Sequence, residues 1–187
     1  DALWAGIRNG ADAIIVAPCC HKEVRTQLDA FVSGESGAQQ PCRVPSDPHP
    51  LSALLRFGTY RERTAEMATD AMRALLLEIA QYDVSIFEFI GGEHTAKNVM
   101  IAATKLSPDA FRSEARLAEL RKELMKLMTL HGVEHQRLAL WMNELPDDAP
   151  GAAAAKQLEL QLQVRKKRPA FQEKKSQAQQ LPPMEPR

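Results

Sequence analysis

The chain has 187 residues, of which 44% are hydrophobic, 26% charged and 5% aromatic, with 24 lysines and arginines against 24 aspartates and glutamates. That composition supports a buried core and excludes a wholly disordered chain, a collagen-like repeat and a disulfide-stapled miniprotein. No apolar run approaches the roughly 18 residues a spanning helix needs, so no membrane segment is expected.

Leu3, Trp4 and Ile7 recur at helical spacing and Asn9-Gly10 supplies a stop, which predicts a helix ending near residue 9. Ala13-Ile14-Ile15-Val16-Ala17 is a short continuous apolar run, the pattern of a strand covered on both faces of a parallel sheet, and Pro18 stops it. Cys19-Cys20-His21-Lys22 follows at once. Residues 33–50, rich in Ser, Gly, Gln and Pro, read as a loop, and Leu51 to Phe57 as a short helix. Residues 62–81 read as a long helix. Its apolar stripe is Met67, Ala71, Ala74, Leu75 and Ile79, and its polar face holds Arg63, Glu66, Asp70, Arg73 and Glu78. Residues 83–90 alternate as a strand with Val84, Ile86 and Phe87 inward, residues 91–98 form a polar connection, and residues 99–104 form another strand.

After Leu106 the texture changes. Ser107-Pro108-Asp109 carries a helix-start signal, and Leu117, Leu120, Leu124, Leu127 and Met128 then run at helical spacing to a stop at His131-Gly132. A second amphipathic helix is expected over residues 133–145, with Leu138, Leu140, Trp141 and Leu145, before a Pro/Asp/Gly break. Residues 152–168 have helical propensity, and from Pro169 onward the composition predicts a disordered tail. The tail is basic: residues 150–187 hold eight basic and three acidic side chains, including Arg165-Lys166-Lys167-Arg168, leaving residues 1–149 acidic by five charges. Such a tail is ordinarily solvated, and it also suits a polyanion.

Helix, strand, helix, then two strands joined by a short connection is the closing half of a doubly wound α/β sheet whose last strand is inserted antiparallel. Four segments add to that pattern: Ala17-Pro18-Cys19-Cys20-His21-Lys22, Arg61-Glu62-Arg63, Phe87-Glu88-Phe89-Ile90 and Glu93-His94-Thr95-Ala96-Lys97-Asn98. In this order they resemble a bacterial family of class I S-adenosylmethionine-dependent methyltransferases. That family is distantly related to a eukaryotic tRNA 2'-O-methyltransferase whose corresponding strand also ends in a Cys-Cys-His cluster.

The resemblance covers residues 1 to about 106 and implies an α/β, Rossmann-like class I methyltransferase sheet. Residues 13–17, 83–90 and 99–104 would be strands five, six and seven. The chain opens at Asp1 with neither an initiator methionine nor a signal peptide, and is expected to be the C-terminal half of a longer enzyme. Residues 107–145 would be a helical extension and residues 146–187 a mostly disordered basic tail. S-adenosylmethionine would be bound mainly by the upstream half, where a glycine-rich turn belongs; no Gly-x-Gly-x-x-Gly occurs here.

In open α/β sheets ligands sit beyond the carboxyl ends of strands, which directs attention to the residues after the 13–17 run. His21 is the candidate proton acceptor and Cys19 a further catalytic candidate, with Pro18, Cys20 and Lys22 as substrate contacts and Lys22 suited to a phosphate. If strand alternation continued, the two cysteines would point apart. The same residues also read as small buried hydrophobes beside a capping histidine. Glu93, His94, Lys97 and Asn98 form a second candidate substrate-binding group; as a plain turn, they would satisfy backbone instead.

Arg56, Arg61, Glu62 and Arg63 suit either phosphate or neighbouring acids. Zinc held by Cys19, Cys20, His21 and Cys42 is disfavoured because adjacent cysteines lack the Cys-x-x-Cys spacing, and no metal is expected. Three cysteines, two of them adjacent, also make a poor disulfide framework and point to a reducing cytoplasm. The sum is a cytoplasmic methyltransferase fragment acting on a nucleophile, with RNA as the preferred acceptor and small molecules or proteins also compatible. The alternative is a noncatalytic module whose helical extension docks a partner.

Overall fold

The computed structural model describes residues 2–33, 49–89 and 98–145. The loop expected over 33–50, most of the connection at 91–98, Cys42 and everything beyond residue 145 lie largely or wholly outside the described residues.

Helix α1 (Ala2–Asn9) leads into strand β1 (Ala13–Val16), then come α2 (Lys22–Ser33), α3 (Ser52–Leu55) and the long α4 (Gly58–Ile79). Strands β2 (Tyr82–Glu88) and β3 (Val99–Lys105) follow, then a 3₁₀ turn at Pro108–Ala110, α5 (Glu114–Leu130) and α6 (Arg137–Trp141). The architecture is mixed α/β with one three-stranded sheet in the order β1-β3-β2. β3, the last strand in sequence, runs antiparallel to both neighbours, pairing Ile14 with Ala103 on one side and Val84 with Ala103 on the other. β1 and β2 therefore point the same way.

Three local expectations are corrected. β1 is not covered on both faces: Ile14 is buried and packed against Gly6 of α1, where an added Cβ would meet Ile14 Cδ1 at 2.7 Å. Ile15 on the opposite face is 65% exposed, because among the described residues α1 packs on the Ile14 face of β1 and leaves the other uncovered. The buried stripe of α4 is Ala65, Ala68, Thr69, Met72, Leu76 and Ile79, rotated from the one the sequence suggests, and Met67 is 73% exposed. A helix enclosed by α2, α5 and the sheet buries a wide arc, so Asp70 and Arg73 go inside with the apolar residues. In β2 only Tyr82 is fully buried, while Ile86 and Phe87 are exposed.

Three further differences concern helices. α2 occupies a stretch with no element expected from sequence, and buries Val24, Leu28 and Phe31 at helical spacing. α5 starts six residues later than the Ser107-Pro108 signal suggests. That signal makes only the short 3₁₀ turn, and Ser113 is the cap, its side chain accepting the Arg116 backbone N–H at 3.3 Å. The Leu117, Leu120, Leu124 and Met128 stripe is buried against α4. α6 is shorter than expected and is capped by Gln136, whose side chain accepts the Ala139 N–H at 2.8 Å. One core cluster runs from Leu3 to Leu145, and Trp4 stacks near Trp141 at 6.3 Å between ring centroids, joining α1 to α6. No described helix is long and apolar enough to cross a membrane.

Two positions give direct tests. Gly132 follows α5 with φ +64°, and an added Cβ would collide with the Phe31 ring. Gly132→Ala combines a left-handed backbone with overpacking and is expected to cost roughly 2–4 kcal/mol in chemical denaturation. Tyr82 donates its hydroxyl to Ala11 O at 2.8 Å, and burial, then the charge of Asp12, pushes its phenol above the usual range. The folded state therefore favours the neutral phenol. Its contribution is complete below about pH 10, where an unfolded tyrosine titrates, and is lost as pH rises through the higher folded value. Tyr82→Phe is expected to flatten the alkaline fall in melting temperature.

Candidate functional site

β1 ends at Val16, and Pro18 cannot extend the ladder. The chain then turns into α2: the His21 carbonyl accepts the Arg25 N–H at 2.9 Å, the first helical bond, while the His21 side chain turns inward. Sitting where a helix begins does not explain why an imidazole is 8% exposed. Its partner does. His21 Nε2 lies 3.1 Å from Asp70 Oδ1 and 3.3 Å from Oδ2, both on α4.

Asp70 in turn accepts from Arg73 Nη1 at 2.9 Å, and Arg73 Nη2 donates to the Cys20 carbonyl at 2.7 Å. The circuit closes on itself, from the residue before His21 through two α4 side chains and back to His21. A carboxylate only accepts, so Nε2 is the nitrogen that donates to Asp70, and in the neutral ring the lone pair is then on Nδ1. That Nδ1 is buried with no hydrogen-bond partner.

His21 and Asp70 line a cleft of about 380 Å³ at the edge where β1 and β2 end and β3 begins. Pro18 forms one side, Arg63, Glu66 and Met67 of α4 another. Ile86, Glu88, Asn98 and Val99 complete it from β2 and β3. The structure thus brings Pro18, His21 and Asn98 together on one cleft, although they come from opposite ends of the fold's first half. The Asn98 carbonyl also accepts the Phe89 N–H at 2.9 Å, which fixes the close of the connection. Glu93, His94 and Lys97 lie outside the described residues.

The remaining candidates fall elsewhere. Cys19 and Cys20 are both exposed, and their sulfurs lie side by side at 3.8 Å, not pointing apart. Strand alternation stops at Val16, so it does not set their directions. Cys19 lines neither this cleft nor its neighbour. Cys20 and Lys22 border the neighbour, a second cleft of about 500 Å³ that also includes Thr26, Arg73 and Arg137. Arg61 pairs with Asp29 at 3.4 Å, Glu62 with Arg25 at 2.8 Å and Arg63 with Glu66 at 3.4 Å, while Arg56 lies over the Phe57 ring at 4.5 Å. Arg61 and Arg63 thus follow the surface-pairing alternative, whereas Arg56 meets a ring. No three His, Cys, Asp or Glu side chains group to hold a metal ion among the described residues.

Sequence reasoning missed Asp70 and Arg73 as site residues, having placed both on a solvated face. Their i, i+3 spacing was visible, but the histidine that gives it meaning is 49 positions away.

The network predicts its own sensitivity. Asp70→Ala leaves Arg73 buried without its counter-charge and His21 without an acceptor, and removing one member of a buried pair typically costs about 3–5 kcal/mol. Urea unfolding of Asp70→Ala is expected to show a loss of that size; a change within the range of surface substitutions would mean the network carries no stability. Compared with family models, with curated proteins and with solved structures, the chain matches none.

Proposed function

We propose that this chain carries the C-terminal part of a Rossmann-like class I S-adenosylmethionine-dependent methyltransferase, cytoplasmic, with the His21 cleft receiving the methyl acceptor. The observation that carries the reading is His21 itself: a buried imidazole held by a carboxylate, with an unpartnered Nδ1, on a cleft at the carboxyl edge of β1 and β2. The sheet order supports it, since a last strand inserted between and antiparallel to two parallel strands is the arrangement the family resemblance implies. A class I sheet places a further strand against β1, and the interior composition of Ile14-Ile15-Val16 at an edge is consistent with that neighbour.

S-adenosylmethionine would supply an electrophilic methyl group. The residues here do not fit the cofactor itself: the turn after β1 is Pro18-Cys19-Cys20-His21, with no glycine to let a backbone approach a nucleoside. They fit the acceptor side. His21 would take the proton from the acceptor hydroxyl or amine as that atom bonds to the methyl carbon; its Nδ1 has no protein partner and is buried, so the ring must turn to present it to the cleft. Asp70 holds the opposite N–H and stabilises the imidazolium that results, while Arg73 keeps Asp70 in place. Met67, Ile86 and Val99 give the cleft apolar walls that reduce competing water, and Asn98 offers an amide to orient the acceptor. RNA is the acceptor class favoured here, supported by Lys22 and Arg137 on the adjoining cleft, where they suit a phosphodiester. The rival reading, a docking module built on the helical extension, would have to use the apolar side chains α5 leaves exposed, Met125 and Leu130, because the Leu117, Leu120, Leu124 and Met128 stripe packs on α4.

The test is label transfer. Full-length protein, including the region upstream of Asp1, is incubated with methyl-labelled S-adenosylmethionine and total RNA. Label in RNA is expected, and His21→Ala is expected to slow transfer by about 10²–10⁴-fold, the usual value of a general base. Undiminished transfer by that variant removes His21 from the chemistry, and the absence of any labelled RNA removes the acceptor class. Calorimetry on residues 1–187 alone is expected to show no cofactor binding; micromolar binding would overturn the placement of the fragment in the fold.

A further inference from the structure

The adjacent thiols are used by nothing in the proposed chemistry, yet their backbone is held on both sides. On one side Val16 is paired to Ile101 of β3. On the other, Arg73 holds the Cys20 carbonyl at 2.7 Å and Asp70 holds the His21 ring. Between these fixed points, Cys19 and Cys20 both stand free and exposed on the surface. Two exposed side chains projecting from a clamped turn, with sulfurs 3.8 Å apart, lie on the same side and within reach of one centre.

The separation says what the pair is set for. Joining the sulfurs to each other requires closure to about 2.05 Å, between Cα atoms that a trans peptide fixes about 3.8 Å apart, below the usual disulfide range of about 4.4–6.8 Å. A direct bond is thus strained. A bridging atom is not: two metal–sulfur bonds of about 2.3 Å at a tetrahedral angle span about 3.8 Å. No third His, Cys, Asp or Glu joins the pair among the described residues, so any centre held there keeps its other positions open to small ligands from solution.

We infer that Cys19 and Cys20 form a two-sulfur clamp for a thiophilic centre, a soft filled-shell cation or a trivalent metalloid, at the surface beside the His21 network. The inference stands independently of methyl transfer. With a cation, each thiol loses its proton to buffer and two sulfur–metal bonds form without oxidation. With an organic arsenoxide, two S–H bonds and the As–O bond break and two As–S bonds form. The oxygen leaves as water, and arsenic stays trivalent.

Because the ligand is defined by its chemistry, two probes are used on the reduced 187-residue chain carrying Cys42→Ser: cadmium ion and phenylarsine oxide. One equivalent of at least one probe is expected to abolish the reaction of both remaining thiols with a disulfide reagent. The cadmium arm is also expected to release two protons per ion. Capture in the cadmium arm alone identifies a cation site, and in the arsenical arm alone a metalloid site. Cys19→Ser and Cys20→Ser, both at exposed positions and checked for unchanged melting temperature, are each expected to weaken capture at least a hundredfold. Protection of only one thiol, capture by neither probe, or equal affinity in either single variant would overturn the clamp.

Discussion

A carboxylate placed inside a helix-packed interior must be matched by charge and by hydrogen bonds, and the way Asp70 meets that demand organises the surrounding structure. Taking the charge out of water is costly, and the cost is offset only when the partners sit in good geometry. Asp70 recruits one cation from its own helix, Arg73, and one imidazole from a different element, His21. Arg73 then uses its second nitrogen on the Cys20 carbonyl. A single buried charge thereby fixes the turn after β1 against α4, from both the side chain and the backbone. The glutamine bridge nearby works alongside it: Gln27 of α2 donates to the His135 carbonyl at 2.8 Å and accepts the Glu134 N–H at 2.8 Å, so α2 is tied to the chain leaving α5.

Placing β3 between β1 and β2 has a consequence for chemistry. Two parallel strands separated by an antiparallel one bring the carboxyl ends of the outer pair and the amino end of the middle strand to one edge. Residues that leave β1, leave β2 and approach β3 are then neighbours, which is why Pro18, Glu88 and Asn98 share a cleft despite their separation in sequence. Simple hairpins in the order of the sequence would not achieve this.

What could be read in the chain without coordinates follows the range of the forces involved. Stops set by local backbone chemistry were visible: Asn9-Gly10 ends α1, and Gly132, with its left-handed φ, follows α5. Strand positions were visible from apolar runs, to within a residue or two. Facing was not. The α4 stripe came out rotated because its burial is decided by three elements packed around it; Ile86 is exposed because it lines the cleft, and Phe87, on the opposite face of β2, is exposed as well. The helix α2 was legible in Val24, Leu28 and Phe31 and was overshadowed by the polar stretch after it. His21 and Asn98 were singled out from their place after and between strands. Asp70 was not, since a carboxylate on an amphipathic helix looks solvated until its distant partner is known.

The same network also divides two chemically unlike environments. His21 and Asp70 line a cleft whose other walls are largely apolar, with Arg63 and Glu66 paired to each other. Arg73 and Cys20, bonded to them, line the second cleft beside Lys22 and Arg137. The polar circuit is therefore the shared wall between an apolar recess and a basic one. On the apolar side, the bonds through Asp70 and Arg73 set the orientation of the imidazole before anything enters the recess. The buried charge that holds the turn after β1 against α4 thus borders both surfaces at once.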